Sequence, residues 1–182
     1  MIGLFDRRRR LRIAGRRAQT LPARGFRRIV VAVADNRESE LAVDVGCRLA
    51  RERGATMTAI AAVEVPVELP LDCHMEAEDA QAQELLERAR VTAESYGVKA
   101  AVRLVRAREA ATAIVDELER QHAELAIVAA TPLPKRRVTK LGRTVEMVLK
   151  HAPCRVMVVI GRQDASPGAG EPAGRRSRVG RT

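Results

Sequence analysis

Short apolar runs and amphipathic stretches alternate along the chain between residues 28 and 160. The runs at residues 28–34, 57–65 and 98–105 are rich in valine, isoleucine and alanine, and they predict β-strands. Residues 126–130 and 156–160 are shorter and almost wholly apolar, which is typical of parallel strands buried on both faces. The pattern therefore predicts five strands.

Four stretches between these runs have apolar residues at helical spacing. They cover residues 38–53, 76–96 and 109–121, and a fourth helix that Gly142 opens and Pro153 follows. In the first helix Leu41, Val45 and Leu49 fall on one stripe, which we expect to face the core. Five strands alternating with four helices predict a three-layer α/β domain with a parallel sheet.

The segment 125–161, LAIVAATPLPKRRVTKLGRTVEMVLKHAPCRVMVVIG, predicts a strand, a long basic loop, a helix and a second strand. It resembles the C-terminal signature of the universal stress protein family, in which glycine, two residues, glycine, nine residues, then glycine and serine wrap an ATP triphosphate. The resemblance continues through residues 29–55, IVVAVADNRESELAVDVGCRLARERGA, and covers residues 27–161. Residues 142–159 most resemble the version of this domain that forms the cytoplasmic tail of amino-acid permeases.

The resemblance implies a doubly wound five-stranded parallel sheet of order 3-2-1-4-5, the adenine nucleotide alpha hydrolase-like fold. In this order the first and fourth strands are neighbours, and ligands bind in the crevice at their carboxyl ends. ATP-binding members place an aspartate at the end of the first strand and backbone of the second strand beside the base. The matching nucleotide positions here are Ala34 or Asp35, Ala62 or Val63, Ala129, Pro132, Gly142, Arg143 and Thr144.

Two of the three glycines of the phosphate loop are replaced in this chain. Ala129 adds a methyl group where backbone approaches an anion, and Pro132 has no N–H to donate. The same loop carries four basic side chains before the helix: Lys135, Arg136, Arg137 and Lys140. ATP or another adenine nucleotide is the candidate cofactor, but the degenerate loop points to a retuned anion site or a protein contact. A solvated basic loop is the simplest alternative.

Charge is concentrated at the two ends of the 182-residue chain, whose net charge is +10. Residues 1–28 hold ten arginines and one aspartate. We expect residues 1–26 to form a disordered basic leader, residues 27–161 the folded domain, and residues 162–182 a disordered basic tail. With only Phe5, Phe26 and Tyr96 as aromatic side chains, the chain lacks stacking platforms, so no specific nucleic-acid partner is expected.

No catalytic constellation and no metal site is predicted. The three histidines are far apart in sequence, and the three cysteines have no metal-type spacing. No signal peptide or membrane span is apparent, so we expect a cytoplasmic protein.

The predicted function is a non-enzymatic regulatory binding domain of the stress response, which the resemblance implies is a homodimer through the last strand. Two alternatives stay open. One is a regulatory partner of a membrane transporter that docks at the inner membrane surface through the basic residues of 1–28. The other is a binder of a different nucleotide or anion with weak nucleotide hydrolysis.

Overall fold

The computed structural model describes residues 25–131 and 141–161, which contain nine regular elements. The strands are β1 (Arg28–Val33), β2 (Thr56–Glu64), β3 (Ala100–Ala107), β4 (Leu125–Ala130) and β5 (Arg155–Ile160). The helices are α1 (Arg37–Arg53), α2 (Glu76–Ser95), α3 (Ala110–Arg120) and α4 (Arg143–His151). Within these ranges no helix is long and apolar enough to cross a membrane. The predicted tail, almost all of the leader, Pro132 and the four basic loop residues lie outside the described residues.

All five strands belong to one parallel sheet of order β3-β2-β1-β4-β5, which confirms the predicted fold class. The central strand is β1, where Val31 pairs with Ala59 of β2 on one side and Ile127 of β4 on the other. Each connection joins two parallel strands through a helix and is right-handed. Because the strand order runs in opposite directions from β1, the helices cover both faces of the sheet. The carboxyl ends of β1 and β4 therefore lie side by side at one edge.

Two apolar cores hold the layers together. One lies under α1 and α2 and includes Val31, Cys47 and Leu86; the other lies under α3 and α4 and includes Ile114 and Val148. Burying one valine, leucine or isoleucine side chain contributes roughly 1.5–3 kcal/mol. The alternation of residues along β1 supplies both cores, since Val30 faces α3 and α4 while Val31 faces α1 and α2.

The face of α1 that packs on the sheet differs from the predicted stripe. Leu41 is 40% exposed, and the positions buried against the sheet include Ala42, Gly46 and Ala50. Small residues let the helix approach closely: a Cβ atom on Gly46 would lie 2.8 Å from Cγ2 of Val31. The prediction was wrong for Leu41 only, since Val45 and Leu49 pack half-buried against the core, beside the fully buried small residues.

The predicted boundaries are displaced at two places. The third strand begins at Ala100 instead of residue 98, because Gly97, with a φ of 70°, ends the preceding turn. Phe26, which the prediction assigned to the leader, packs against the core under α1 and α2. The ordered domain therefore begins no later than Phe26.

Cys47 lies in the core under α1 and α2 with its side chain fully buried. Burial raises the pKa of its thiol to about 11, and the nearby Asp44 carboxylate adds to the shift. The thiol is therefore a neutral packing group at physiological pH.

Candidate functional site

A cavity of about 550 Å³ opens at the carboxyl ends of β1 and β4. Its volume falls within the range of roughly 300–1,000 Å³ that small-molecule sites occupy. Its walls come from the strand ends, the first turns of α3 and α4 and the flanking loops, and include Ala34, Asn36, Ala62, Ala110, Ala129, Thr131, Leu141, Gly142 and Thr144. We call this cavity the crevice.

The turn between β1 and α1 forms one wall of the crevice, and it is fixed by its own side chains. The side chain of Asn36 accepts a hydrogen bond of 2.7 Å from the N–H of Ser39, which caps α1. The buried hydroxyl of Ser39 in turn accepts from the N–H of Ala34 at 2.8 Å. These two bonds hold residues 34–36 in one conformation beside the cavity.

The helices behind the crevice are positioned by similar local contacts. The carboxylate of Glu64, at the end of β2, accepts from the N–H of Ala110 at 2.8 Å and so fixes the start of α3. Gly142 precedes α4 and provides no side-chain cap, and a Cβ atom there would meet no atom within 4 Å. The first N–H groups of a helix have no intrahelical partner, so the start of α4 presents donors to the crevice.

Five of the residues singled out from the sequence line the crevice together: Ala34, Ala62, Ala129, Gly142 and Thr144. Val63, the other candidate on the second strand, is buried in the core under α1 and α2. Successive side chains of a strand point to opposite faces, so Ala62 faces the crevice and Val63 cannot.

Asp35 does not point into the crevice. Its carboxylate accepts a hydrogen bond of 2.8 Å from Nε2 of Gln81, and it lies 3.6 Å from Nη2 of Arg88, both on α2. The residue at the end of β1 that lines the crevice is Ala34, so the aspartate one position later turns to the opposite face. In this conformation the Asp35 carboxylate therefore does not face a ligand in the crevice.

Arg143 does not line the crevice and is paired with Glu109, just before α3. Its Nη2 lies 2.5 Å from Oε1 of Glu109, and its side chain is 81% exposed. The basic loop residues Lys135, Arg136, Arg137 and Lys140, together with Pro132, lie outside the described residues. Thr131 and Leu141, which flank that loop, both line the crevice.

The described lining of the crevice carries no ionisable side chain. Its polar side chains are Asn36, Thr131 and Thr144, and the remaining lining residues are apolar or glycine. Among the described residues, no group of three or more histidine, cysteine, aspartate or glutamate side chains could hold a metal ion. This part of the crevice can bind an uncharged ring and offer hydrogen bonds, but it supplies no acid or base.

The sequence interpretation missed several residues that form the crevice. Asn36 had a detectable signal, since an asparagine three residues before Ser39 and ahead of an amphipathic stretch is typical of a helix N-cap. Ala110 and Ile114 of α3 line the crevice as well, but their residue types carry no chemical signal. Only the order of strands in the sheet brings α3 to this position.

The fold and the crevice define a doubly wound α/β domain of the class that binds ligands at a topological switch point. The profile of the universal stress protein family matches residues 25–159. The chain therefore belongs to the universal stress protein family. No curated protein matches it at a significant level.

Solved structures of this family have the same fold. A universal stress protein from Archaeoglobus fulgidus in complex with dAMP has a TM-score of 0.59 and 20% identity, covering 72% of this chain and 95% of that one. A family protein from Arabidopsis thaliana with AMP bound has a TM-score of 0.57 and 16% identity, covering 77% and 95%. A universal stress protein in complex with cAMP has a TM-score of 0.61 and 20% identity, covering 74% and 97%.

Proposed function

We propose that this chain is a non-enzymatic regulatory domain of the stress response that binds an adenine nucleotide in the crevice. One observation carries the proposal: a cavity of about 550 Å³ lies at the carboxyl ends of β1 and β4, in front of the start of α4. The similar structures with dAMP, AMP or cAMP bound support an adenine nucleotide as the ligand class. The small side chain of Ala62 leaves room for a flat ring beside the strand ends.

The proposal includes a weakened grip on a triphosphate. Ala129 lines the crevice where the family signature has glycine, although its methyl group packs toward the core under α1 and α2. Pro132 has no backbone N–H, and losing one hydrogen bond to a charged group costs about 1.5–3 kcal/mol. Exposed basic side chains compensate poorly, because each contributes under about 1 kcal/mol and is screened by salt. We therefore expect nucleotides with a short phosphate portion to bind at least as well as ATP.

The absence of an ionisable side chain in the described lining supports binding without catalysis. Hydrolysis of a nucleotide needs a positioned base or a metal to activate water. The alternative, a weak nucleotide hydrolase, would require such a group from the residues outside the described ranges. It predicts release of phosphate from ATP above the buffer background.

The partners follow as two separate proposals. The domain forms a homodimer through the exposed edge of β5, and such an edge needs covering because its unpaired backbone groups invite another strand.

Docking beside a transporter at an anionic membrane surface rests on the permease-tail resemblance and on the arginines of residues 1–28. Sedimentation of the full chain with anionic and neutral liposomes tests it, and equal pelleting with both would exclude it.

A thermal-shift series tests the nucleotide proposal. We expect AMP, cAMP and dAMP to raise the unfolding midpoint of the full chain by several degrees at a hundredfold their dissociation constants, because binding then adds about 2.7 kcal/mol. At the same concentration as AMP, ATP should give no larger shift. The variant Pro132→Gly should gain about tenfold in affinity for ATP and change little for AMP, since it restores one N–H donor. Absence of a shift with every nucleotide would refute the proposal.

A further inference from the structure

A second cavity, of about 430 Å³, lies between α1 and α2 on the opposite face of the sheet from α3 and α4. We call it the α1–α2 groove. Its buried lining is apolar and includes Val33, Val43 and Ala89. Exposed charged side chains, among them Asp35 and Glu40, line its opening. The groove is therefore an apolar slot with charged walls at the amino-terminal end of α1.

The charges around the groove are not balanced. Arg88 lies 3.6 Å from Oδ1 of Asp35 and 3.5 Å from Oε1 of Glu40, so one guanidinium serves two carboxylates. Glu87 is paired with Arg90 at 2.6 Å. The lining of the groove thus carries three carboxylates, of Asp35, Glu40 and Glu87, and one guanidinium, of Arg88.

The N-terminal segment enters the domain on the same face of the sheet as this groove. Phe26 packs against the core under α1 and α2, and the guanidinium carbon of Arg53 lies 5.9 Å from its ring centroid. A Cβ atom on Gly25 would lie 3.2 Å from Nη1 of Arg53. Gly25, the first described residue, therefore lies beside the carboxyl-terminal end of α1.

The distance from that point to the groove can be spanned by the chain. The 17 residues of α1 make a helix about 25 Å long. Arg17 precedes Gly25 by eight residues, which extend to about 26 Å, and Arg7 precedes it by eighteen, which extend to about 60 Å. The chain before Gly25 is therefore long enough to span α1, fully extended at Arg17 and with ample slack at Arg7.

We propose that the arginine-rich segment at residues 7–17 of this chain docks in the α1–α2 groove. Residues 1–24 hold eight arginines and one aspartate, whereas the described residues hold 20 acidic and 16 basic side chains. Guanidinium groups pair with carboxylates in a fork geometry, and their alkyl stems cover apolar surface. Asp35 and Glu40 supply the carboxylates, and the valines and alanine of the groove supply the apolar surface.

NMR spectra of two full-length proteins test the docking. In one, glutamine replaces Arg7, Arg8, Arg9, Arg10, Arg12, Arg16 and Arg17; the other is unchanged. At about 0.05 M salt we expect amide shift differences concentrated at residues 34–40 and 85–92, and their loss at about 0.5 M, where charges are screened. Differences spread evenly over the domain, or absent from both ranges, would overturn the proposal.

A peptide of residues 1–24 gives an independent measurement with the full-length glutamine protein as receptor. Adding Asp35→Asn and Glu40→Gln to that receptor should weaken peptide binding about tenfold, since each lost charge pair contributes modestly. The matched control Asp116→Asn with Glu119→Gln, on α3, should leave it unchanged. Equal weakening by the two double substitutions would refute docking in the groove. So would peptide binding only to anionic vesicles and not to the protein.

Discussion

At the residue scale, a shift of one position decides what an aspartate can contact. Ala34 stands at the end of β1 and faces the crevice, while Asp35 bonds to Gln81 on the far side. The sequence showed an aspartate near the expected place but could not show its direction. That direction depends on the turn, which Asn36 and Ser39 fix through their own hydrogen bonds.

Glu117 is a buried carboxylate that has nothing to do with the crevice. It is 3% exposed on α3 and accepts hydrogen bonds from Nε of Arg120 at 2.8 Å and from Gln121, while Nε of Arg103 on β3 lies 2.8 Å away. Burial alone would raise the pKa of this carboxyl, but these hydrogen bonds and charges outweigh it and lower the pKa below its ordinary value. The cluster ties α3 to β3.

The lowered pKa of Glu117 predicts how stability depends on pH. A carboxyl whose folded pKa is depressed stabilises the fold above its unfolded pKa, near 4.5, and this contribution is lost as the pH falls through the folded value. Glu117→Gln should therefore cost about 1–3 kcal/mol at pH 7 and flatten the loss of stability in acid. Chemical denaturation at several pH values measures both effects.

The exposed neighbour Glu119 provides the control for that experiment. Glu119→Gln should change the free energy of unfolding by no more than about 0.5 kcal/mol at any pH. If Glu117→Gln behaved like Glu119→Gln at pH 7, the buried carboxylate would contribute nothing to the fold.

At the scale of elements, the arrangement could be predicted more fully than the packing. The nine elements and the α/β fold class follow from the alternation of apolar runs with stretches of helical spacing. The family resemblance implied the strand order. The buried face of α1 did not follow, because Ala42, Gly46 and Ala50 carry little hydrophobic signal. Their value lies in allowing the helix close to Val31, which only the assembled sheet reveals.

The edge strand β5 carries the prediction that belongs to this scale. Ile160 is 47% exposed at the end of β5, and Val102 is 40% exposed on β3, the opposite edge of the sheet. If β5 forms the dimer contact, Ile160→Lys should shift the protein from dimer to monomer in sedimentation velocity, because it places a charge in an apolar interface. Val102→Lys should leave the dimer intact.

An equal effect of both lysine substitutions would contradict the assignment of the interface to β5. So would a wild-type protein that stays monomeric at concentrations of tens of micromolar. Both variants should keep cooperative unfolding, since neither replaced side chain is buried in the core of the domain.

At the scale of the whole molecule, the charge distribution separates a slightly acidic domain from basic segments. The described residues carry four more acidic than basic side chains, although the full chain has a net charge of +10. The α1–α2 groove and the crevice share Val33, Ala34 and Asn36 in their walls. A segment docked in the groove, as proposed, would therefore lie next to a nucleotide bound in the crevice.

How much of the crevice the sequence could predict depends on the kind of contact. Ala62, Ala129, Gly142 and Thr144 were identified through the family signature, because strand ends and a helix start keep fixed spacing. The contribution of α3 was not identified, since Ala110 and Ile114 are distant in sequence from every motif. Chain topology, rather than residue type, brings them to the cavity.

Calorimetric titration of the full chain with AMP tests the central claim most directly, with Ala62→Leu as a variant that fills the crevice. Ala100→Leu, a half-buried alanine on β3 outside the crevice, is the matched control. The account predicts saturable binding at one site per chain that Ala62→Leu abolishes and Ala100→Leu preserves. No saturable binding to the unchanged protein, or binding that survives Ala62→Leu, would contradict it.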